Sequence, residues 1–310
     1  MKILDFNKFH SLVELVTYFK SDQDCVDVLV QSRWGEDVVC PYCGFHHCKK
    51  GYRGRFVCPY CKNKFSATVG TIFENSKIGL RKWFIAMYLI SSHKKGISSN
   101  QLAKDIKVTQ KTAWYMLHKI RTLFYQDDEQ VLEGDIEIDE VYIGGREYLK
   151  HKSKKVEGTQ GRSTKTKTPI FGLLVRGKTS QVYALKVLKT DRYTLLPLIR
   201  SMCKPGSRLY TDESASYFPL SGMGYDHKVV NHKVSQYVSG RIYTNSIEGF
   251  WGHLKRMILG IYHKVSKEHI QSYIDESVWR WNNRNKSEGQ RFSDMFGRSL
   301  HRVTYAMIIT

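Results

Sequence analysis

Four cysteines stand in two identical Cys-Pro-Tyr-Cys tetrapeptides, Cys40–Cys43 and Cys58–Cys61, with fourteen residues between them. Two residues between cysteines let both thiolates reach one ion from a tight turn, and two such turns complete a tetrahedral set. A full set of four protein ligands leaves no open position, so we expect a structural Zn²⁺. A redox dithiol would need a βαβ context that this region lacks. His46, His47 and Cys48 could substitute as ligands, but four cysteines make them spare.

A second group of chemically capable residues is an acidic stretch in a basic chain. From Glu129 to Gly145 there are six carboxylates and no Lys or Arg, whereas the whole chain carries a net charge of +20. Residues 136–143 are rich in Ile, Val and Tyr and predict a β-strand. Alternation places Glu137 and Asp139 on one face and Glu140 on the other. A carboxylate in an apolar strand needs a partner, and a hard divalent cation suits several acids at once. The alternative is a solvated acidic edge strand.

Composition narrows the class of protein. The 310 residues suffice for two or three domains, and 41% hydrophobic content supports packed cores. The 49 basic against 29 acidic residues indicate a polyanionic partner. No apolar run approaches the roughly 20 residues that span a bilayer, and the N-terminus lacks the apolar core of a secretory signal. Seven cysteines then favour metal ligation in a reducing compartment, so we expect a cytoplasmic protein without a membrane partner.

Residues 98–121 predict two helices joined by a tight turn. Ser98 or Ser99 can cap the first helix and Thr109 the second. Apolar residues supply one packed side, which leaves a polar side on the second helix that suits a DNA major groove. The alternative is a plain helical hairpin within a bundle. The predicted DNA contacts on the second helix are Gln110, Lys111, Thr112, Tyr115 and Lys119.

A basic segment follows the acidic strand. Residues 146–168 hold eight basic and two acidic residues and little apolar periodicity. We therefore predict a loop that becomes ordered on a phosphate backbone, the alternative being a solvated connector. Its predicted DNA contacts are Lys152, Lys154, Lys155, Lys165 and Lys167.

From residue 129 onward the predicted order is three strands, a helix, a strand, a helix, a strand and then helices. Asp139 lies in the first strand, Asp212 ends the fourth, and Glu248 begins a late helix. This pattern resembles the RNase H-like fold of DDE transposases. The resemblance implies that the first and fourth strands are neighbours, with Asp139 beside Asp212 and Glu248 reaching across from its helix. Thirty-five residues separate Asp212 from Glu248, a spacing typical of this superfamily. Asn245 and Lys255 share the helical face of Glu248.

Four motifs carry a closer resemblance. The chain is similar to the zinc-ribbon-bearing transposases of bacterial insertion sequences, the ISXO-type group, from roughly residue 20 to the C-terminus. The matching motifs are Cys40-Pro-Tyr-Cys43, Glu137-Ile-Asp-Glu-Val-Tyr-Ile-Gly-Gly145, Thr211-Asp-Glu213 and Asn245-Ser-Ile-Glu-Gly-Phe-Trp-Gly-His-Leu-Lys255.

This resemblance implies a chemistry. Asp139, Asp212 and Glu248 would hold Mg²⁺ (or Mn²⁺) for hydrolysis at transposon ends and attack of the freed 3′-hydroxyl on target DNA. Lys255 would contact DNA phosphate near the site, or be an ordinary exposed lysine. Some members of the group carry Asn in place of the third acid, so Asn245 stays an alternative to Glu248. The implied partner is double-stranded DNA, bound by a homodimer or larger assembly.

The predicted fold class is therefore a multi-domain α/β protein. A helical segment (1–37), a zinc ribbon (38–76) and a helix-turn-helix (77–128) precede an RNase H-like mixed-sheet catalytic domain (129–310). Two other functions stay open: a structure-specific nuclease or resolvase, and a catalytically inactive DNA-binding regulator. Two added DNA-binding modules favour the transposase over the nuclease, and the whole carboxylate triad favours it over the regulator.

Overall fold

The computed structural model describes residues 5–51, 55–126, 131–144, 150–159, 163–230, 244–304 and 306–309. The chain forms two compact units. The first comprises Met1–Phe124 together with Asn285–Thr310, and the second is Tyr125–Arg284. None of the helices in the described ranges is long and apolar enough to cross a membrane.

Most helices begin where a side chain satisfies free backbone N–H groups. Ser98 Oγ accepts from Gln101 N–H, and Thr109 caps the following helix, as the sequence predicts. Ser21 begins its helix with a reciprocal capping box. The helices are α1 (Leu12–Tyr18), α2 (Asp22–Trp34), α3 (Leu80–Ser92), α4 (Ser99–Asp105), α5 (Gln110–Arg121), α6 (Arg192–Met202), α7 (Asn245–Met257), α8 (Ile270–Asn282), α9 (Glu288–Arg298) and α10 (Ala306–Ile309). Two-helix geometry is thus present at α4–α5, joined by a four-residue turn.

An aromatic core closes the first unit and includes its last long helix. The Phe6 ring lies 5.2 Å from that of Phe292 and 4.8 Å from that of Phe296, and Phe84 of α3 lies 5.4 Å from Phe296. A Cβ on Gly289 would lie within 2.9 Å of three backbone carbonyls near Phe6, so only glycine permits this approach of α9. The structure therefore assigns residues 285–310 to the first unit, whereas the sequence placed them in the catalytic domain.

Three short antiparallel strands accompany the cysteine motifs in the first unit. They are β1 (Lys49–Lys50), β2 (Phe56–Val57) and β3 (Lys64–Phe65), paired in that order. Residues 52–54, between β1 and β2, lie outside the described ranges. Phe56 and Phe65 are register partners whose rings stack 5.7 Å apart, so they tie the ribbon together with few backbone pairs.

The second unit is built on a five-stranded mixed sheet. Its strands are β4 (Asp135–Gly144), β5 (Lys167–Val175), β6 (Gln181–Lys186), β7 (Arg208–Thr211) and β8 (Asp226–Val229), in the spatial order β6-β5-β4-β7-β8. β4 pairs antiparallel with β5 and parallel with β7. The predicted adjacency of the first and fourth strands is confirmed, and with it the RNase H-like arrangement.

Side-chain alternation along β4 builds a core on each face of this sheet. Ile136 and Ile138 pack with α6 residues on one side. Val141 and Ile143 pack on the other side with buried residues of α7 and α8. The face that carries Asp139 is therefore the face covered by α7, the helix that carries Glu248.

Candidate functional site

The four cysteine thiols converge in the first unit. All four Sγ atoms lie within 4.8 Å of one another, with 3.7 Å between Cys40 and Cys61 and 3.6 Å between Cys43 and Cys58. Burial disfavours the Cys58 thiolate, but hydrogen bonds from the N–H groups of Cys61 and Tyr60 and with the thiols of Cys61 and Cys43 together lower the pKa of Cys58 to about 6. Thiolates at this spacing suit a tetrahedral Zn²⁺. The four cysteines that the sequence predicts to share one ion thus lie close enough to do so.

The spare ligands near this cluster have other contacts. His46 Nδ1 lies 2.7 Å and His47 Nδ1 2.9 Å from the Asp37 carboxylate. Cys48 Sγ donates to the Phe45 carbonyl at 3.6 Å. Across the described ranges, the four cysteines are the one group of three or more His, Cys, Asp or Glu side chains that converges in this way.

The predicted carboxylates lie on three neighbouring elements of the second unit. Asp139 lies within β4, Asp212 directly follows β7, and Glu248 lies in the first turn of α7. β4 and β7 pair with Glu137 opposite Tyr210, and continuing this parallel register by two residues brings Asp139 opposite Asp212. The three carboxylates are spread more widely than the four thiolates, since they do not form a converging group of ligand atoms.

Electrostatics couples the three acids. Burial above all, with the nearby charges of Asp212 and Glu248, raises the pKa of Asp139 to about 6, against the lowering effect of hydrogen bonds from the Glu140 N–H and the Trp251 indole. A carboxylate whose pKa is raised by two neighbouring acids lies in negative potential, which a divalent cation relieves. Oxygen donors of this kind suit Mg²⁺ or Mn²⁺, so the residues present fit the implied ion.

Two further side chains near the acids were not among the predicted site residues. Trp251 Nε1 donates to Asp139 Oδ2 at 3.0 Å. Glu137 is fully buried; its Oε1 accepts from Arg176 Nε at 2.8 Å and its Oε2 accepts from the backbone N–H of Ile247 at 2.9 Å. Strand parity already put Glu137 on the face of Asp139, and helical spacing put Trp251 three residues after Glu248, so both signals were in the sequence.

Glu140 occupies the opposite face of β4, as alternation predicts. The buried Tyr217 hydroxyl donates to its Oε1. Asp212 Oδ1 accepts from the N–H of Ser214 at 3.0 Å, which orients the carboxylate at the end of β7. Asn245 and Lys255 are both exposed on α7, so both remain candidates for contact with a ligand.

Of the predicted DNA contacts on α5, one is wrong. Gln110 and Lys111 are exposed, and Thr112 and Tyr115 are half-buried. Lys119 is only 3% exposed, and its Nζ donates to the carbonyls of Ile72 and Glu74 at 2.8 and 3.4 Å. It donates to carbonyls inside the first unit because its position on α5 faces the core.

The predicted basic loop is described in part. Residues 146–149 and 160–162 lie outside the described ranges. Lys152, Lys154, Lys155 and Lys165 are exposed, whereas Lys167 is half-buried as the first residue of β5 and so belongs to the sheet. Lys165 Nζ donates to the carbonyl of Glu157 at 3.2 Å, which brings two parts of the segment together.

Two parts of this chain match known protein families. Residues 131–282 match the ISXO2-like transposase domain, and residues 20–64 match the transposase zinc-ribbon domain. A protein of the transposable element ISH50 from Halobacterium salinarum is 30% identical over 268 residues, which are 83% of this chain and 89% of that protein. The chain belongs to the ISXO2-like transposase family. The resemblance predicted from the motifs is thereby confirmed.

Two further likenesses are more limited in extent or in fit. A transposase-like protein of Haemophilus influenzae is 38% identical over 103 residues, which are 33% of this ISXO2-like transposase and 82% of that protein. A pre-cleavage Mos1 transpososome covers 67% of this chain and 75% of its own at 10% identity, with a TM-score of 0.19, too low to bear on the fold. In this transposase, the zinc-ribbon match and the four converging thiols support a structural zinc ion.

Proposed function

We propose that this transposase binds the ends of its insertion element and catalyses Mg²⁺-dependent DNA cleavage and strand transfer. The observation that carries the proposal is the pairing of the Asp139 strand with the Asp212 strand beneath the helix that bears Glu248. Asp212 and Glu248 both act electrostatically on Asp139, which supports a common site for the three acids. The alternative of a solvated acidic edge strand is not supported, because β4 is the central strand of the sheet.

In this proposal Asp139, Asp212 and Glu248 hold divalent cations. Such ions activate an attacking hydroxyl and stabilise the leaving oxygen of a phosphodiester. The protein's own contribution is orientation. Ser214 N–H fixes the Asp212 carboxylate, the Trp251 indole fixes that of Asp139, and the exposed Lys255 on α7 binds a DNA phosphate.

DNA binding is proposed for α5 and the basic segment. The exposed Gln110 and Lys111 lie in the first turn of α5, where a recognition helix presents its residues to base edges. The exposed Lys152, Lys154, Lys155 and Lys165 supply charge for a phosphate backbone. The neutralised phosphates make binding strongly salt-dependent.

The test is a labelled duplex that bears the flanking element end, incubated with Mg²⁺ and a target duplex. We expect joined products from the parent protein and none from Glu248→Gln. Glu268→Gln, which removes the same charge from an exposed position between α7 and α8, should join DNA like the parent. Nicks without joining by the parent would favour a nuclease, and binding without either product a regulator.

A further inference from the structure

The indole of Trp251 spans the gap between α7 and β4. It is 4% exposed and lies in the apolar cluster between the sheet and helices α7 and α8, yet its N–H reaches the Asp139 carboxylate at 3.0 Å. A buried indole N–H usually finds an acceptor, and here that acceptor is the central acid of the site. A core tryptophan is thus hydrogen-bonded directly to a carboxylate of the proposed site.

Gly172 makes room for this ring. It is the register partner of Asp139 on β5, and a Cβ added to it would lie 2.5 Å from Cη2 and 2.6 Å from Cζ2 of Trp251. Real Cβ atoms do not approach aromatic carbons so closely, and both partners are held in regular elements. The backbone beside Asp139 therefore has a glycine because the indole packs directly against it.

A second tryptophan of the same layer shows that the bond is more than a consequence of burial. Trp281 of α8 packs its ring 5.7 Å from Phe250, and its buried Nε1 has no hydrogen-bond acceptor among the described residues. The layer therefore tolerates an indole N–H without an acceptor. The Trp251 N–H, by contrast, is aimed at one oxygen of Asp139.

We propose that Trp251 is a positioning residue that fixes the carboxylate of Asp139 for cation binding. The inference rests on the proposed function, in which Asp139 is a ligand. The N–H holds Oδ2 in one direction and so sets the plane of the carboxylate before a cation arrives. Hydrogen bonds of this kind orient metal ligands, and their loss typically weakens metal affinity 10- to 100-fold.

Mn²⁺ binding to the full-length, zinc-loaded protein tests this, measured as loss of the free Mn²⁺ signal in electron paramagnetic resonance. Asp139→Asn defines the signal that belongs to the site. We expect Trp251→Phe to weaken this binding on the order of tenfold. Trp281→Phe is the matched control, since it removes the same indole atoms from the same layer without touching Asp139, and should leave the affinity unchanged.

DNA nicking supplies a second readout. A positioning defect should be largely recovered at saturating Mn²⁺, whereas a general loss of structure should lower the rate at every concentration. Where the Phe variant melts below the assay temperature, benzothienylalanine at residue 251 keeps the ring size and replaces the N–H by sulfur. It should show the same weakened affinity.

The two ways to fail are distinct. Parent-like Mn²⁺ affinity in the Trp251 variants, with binding lost in Asp139→Asn, would overturn the positioning role and leave the proposed function intact. Parent-like binding in Asp139→Asn would overturn the ligand role of Asp139 and this inference with it.

Discussion

At the scale of single residues, Asp139 shows how a site is prepared at the expense of stability. Its half-buried carboxylate faces two other acids, and these conditions raise its pKa from the usual 3.8 to about 6. The unfolded chain releases this proton near pH 4 and the folded chain near pH 6, so the folded state binds more protons between these values. Stability contributed by Asp139 is therefore lost as pH rises from about 4 to 6.

This direction of the pH dependence can be tested by thermal melting without added divalent cation. Asp139→Asn removes the charge that the site disfavours, so we expect its melting temperature to exceed that of the parent at pH 8. The difference should shrink as pH falls from 6 to 4, where the parent carboxylate is protonated. Differential scanning calorimetry of the zinc-loaded proteins measures both. A lower melting temperature for Asp139→Asn at pH 8 would contradict a raised pKa of Asp139. Glu268→Gln is the control for the loss of one negative charge at an exposed position.

At the scale of elements, Glu137 ties α7 to the sheet. One of its oxygens accepts from the backbone N–H of Ile247 in the first turn of α7. The N-cap residue of this helix, Thr244, makes no side-chain capping hydrogen bond. The other oxygen pairs with Arg176, whose guanidinium lies 3.7 Å from the Tyr210 ring centroid. The start of the Glu248 helix is thus anchored to the strand of Asp139 through one buried acid.

Glu137→Gln should therefore destabilise the second unit. Removing one partner of a buried ion pair typically costs about 3–5 kcal/mol. The control is Glu133→Gln, which breaks an exposed pair with Lys204 and should change the free energy of unfolding little. Urea unfolding followed by tryptophan fluorescence measures both variants. Equal stabilities for the two would show that Arg176 finds full compensation elsewhere.

Helix α5 offers a matched pair of lysines with opposite expected effects. Lys111→Ala should weaken binding to element-end DNA and flatten its salt dependence by about one unit of slope, with unchanged stability. Lys119→Ala should cost about 1–3 kcal/mol, because the carbonyls of Ile72 and Glu74 lose their donor, with little direct effect on DNA contact. Fluorescence anisotropy across a salt series, beside thermal melts, separates them. Weaker DNA binding by Lys119→Ala with unchanged stability would put Lys119 at the DNA interface.

At the scale of the whole molecule, local chemistry was predictable from the residues and the pairing of β4 with β7 from the family resemblance, but individual long-range side-chain contacts were not. Cys40 and Cys58 stand in motifs whose spacing dictates a shared ion, and Asp139 stands in a strand whose alternation can be read directly. Lys119 and Trp251 are different, because their contacts lie 47 and 112 residues away in the chain. Helix α9 has a capping box from Ser287 to Gln290, but nothing local tells which unit it joins.

The aromatic core of the first unit gives a prediction at this scale. Phe292→Ala should destabilise the first unit by about 3–5 kcal/mol, because the ring contacts those of Phe6, Phe84 and Tyr88. Hydrogen exchange resolved by peptide should speed up in α3 and leave β4–β7 protected. Phe218→Ala, at an exposed ring, should change neither. Faster exchange in both units would show that the two units open together and would contradict this prediction.

The closing of that core by α9 also sets an order of events during synthesis. Phe6 and Phe84 leave the ribosome early, but Phe292 and Phe296 are made only after the whole of Tyr125–Arg284. Domains that are continuous in sequence generally fold in the order of their translation. The first unit therefore cannot complete its aromatic core until the second unit has been synthesised, and Phe6 and Phe84 lack the contacts of α9 until then.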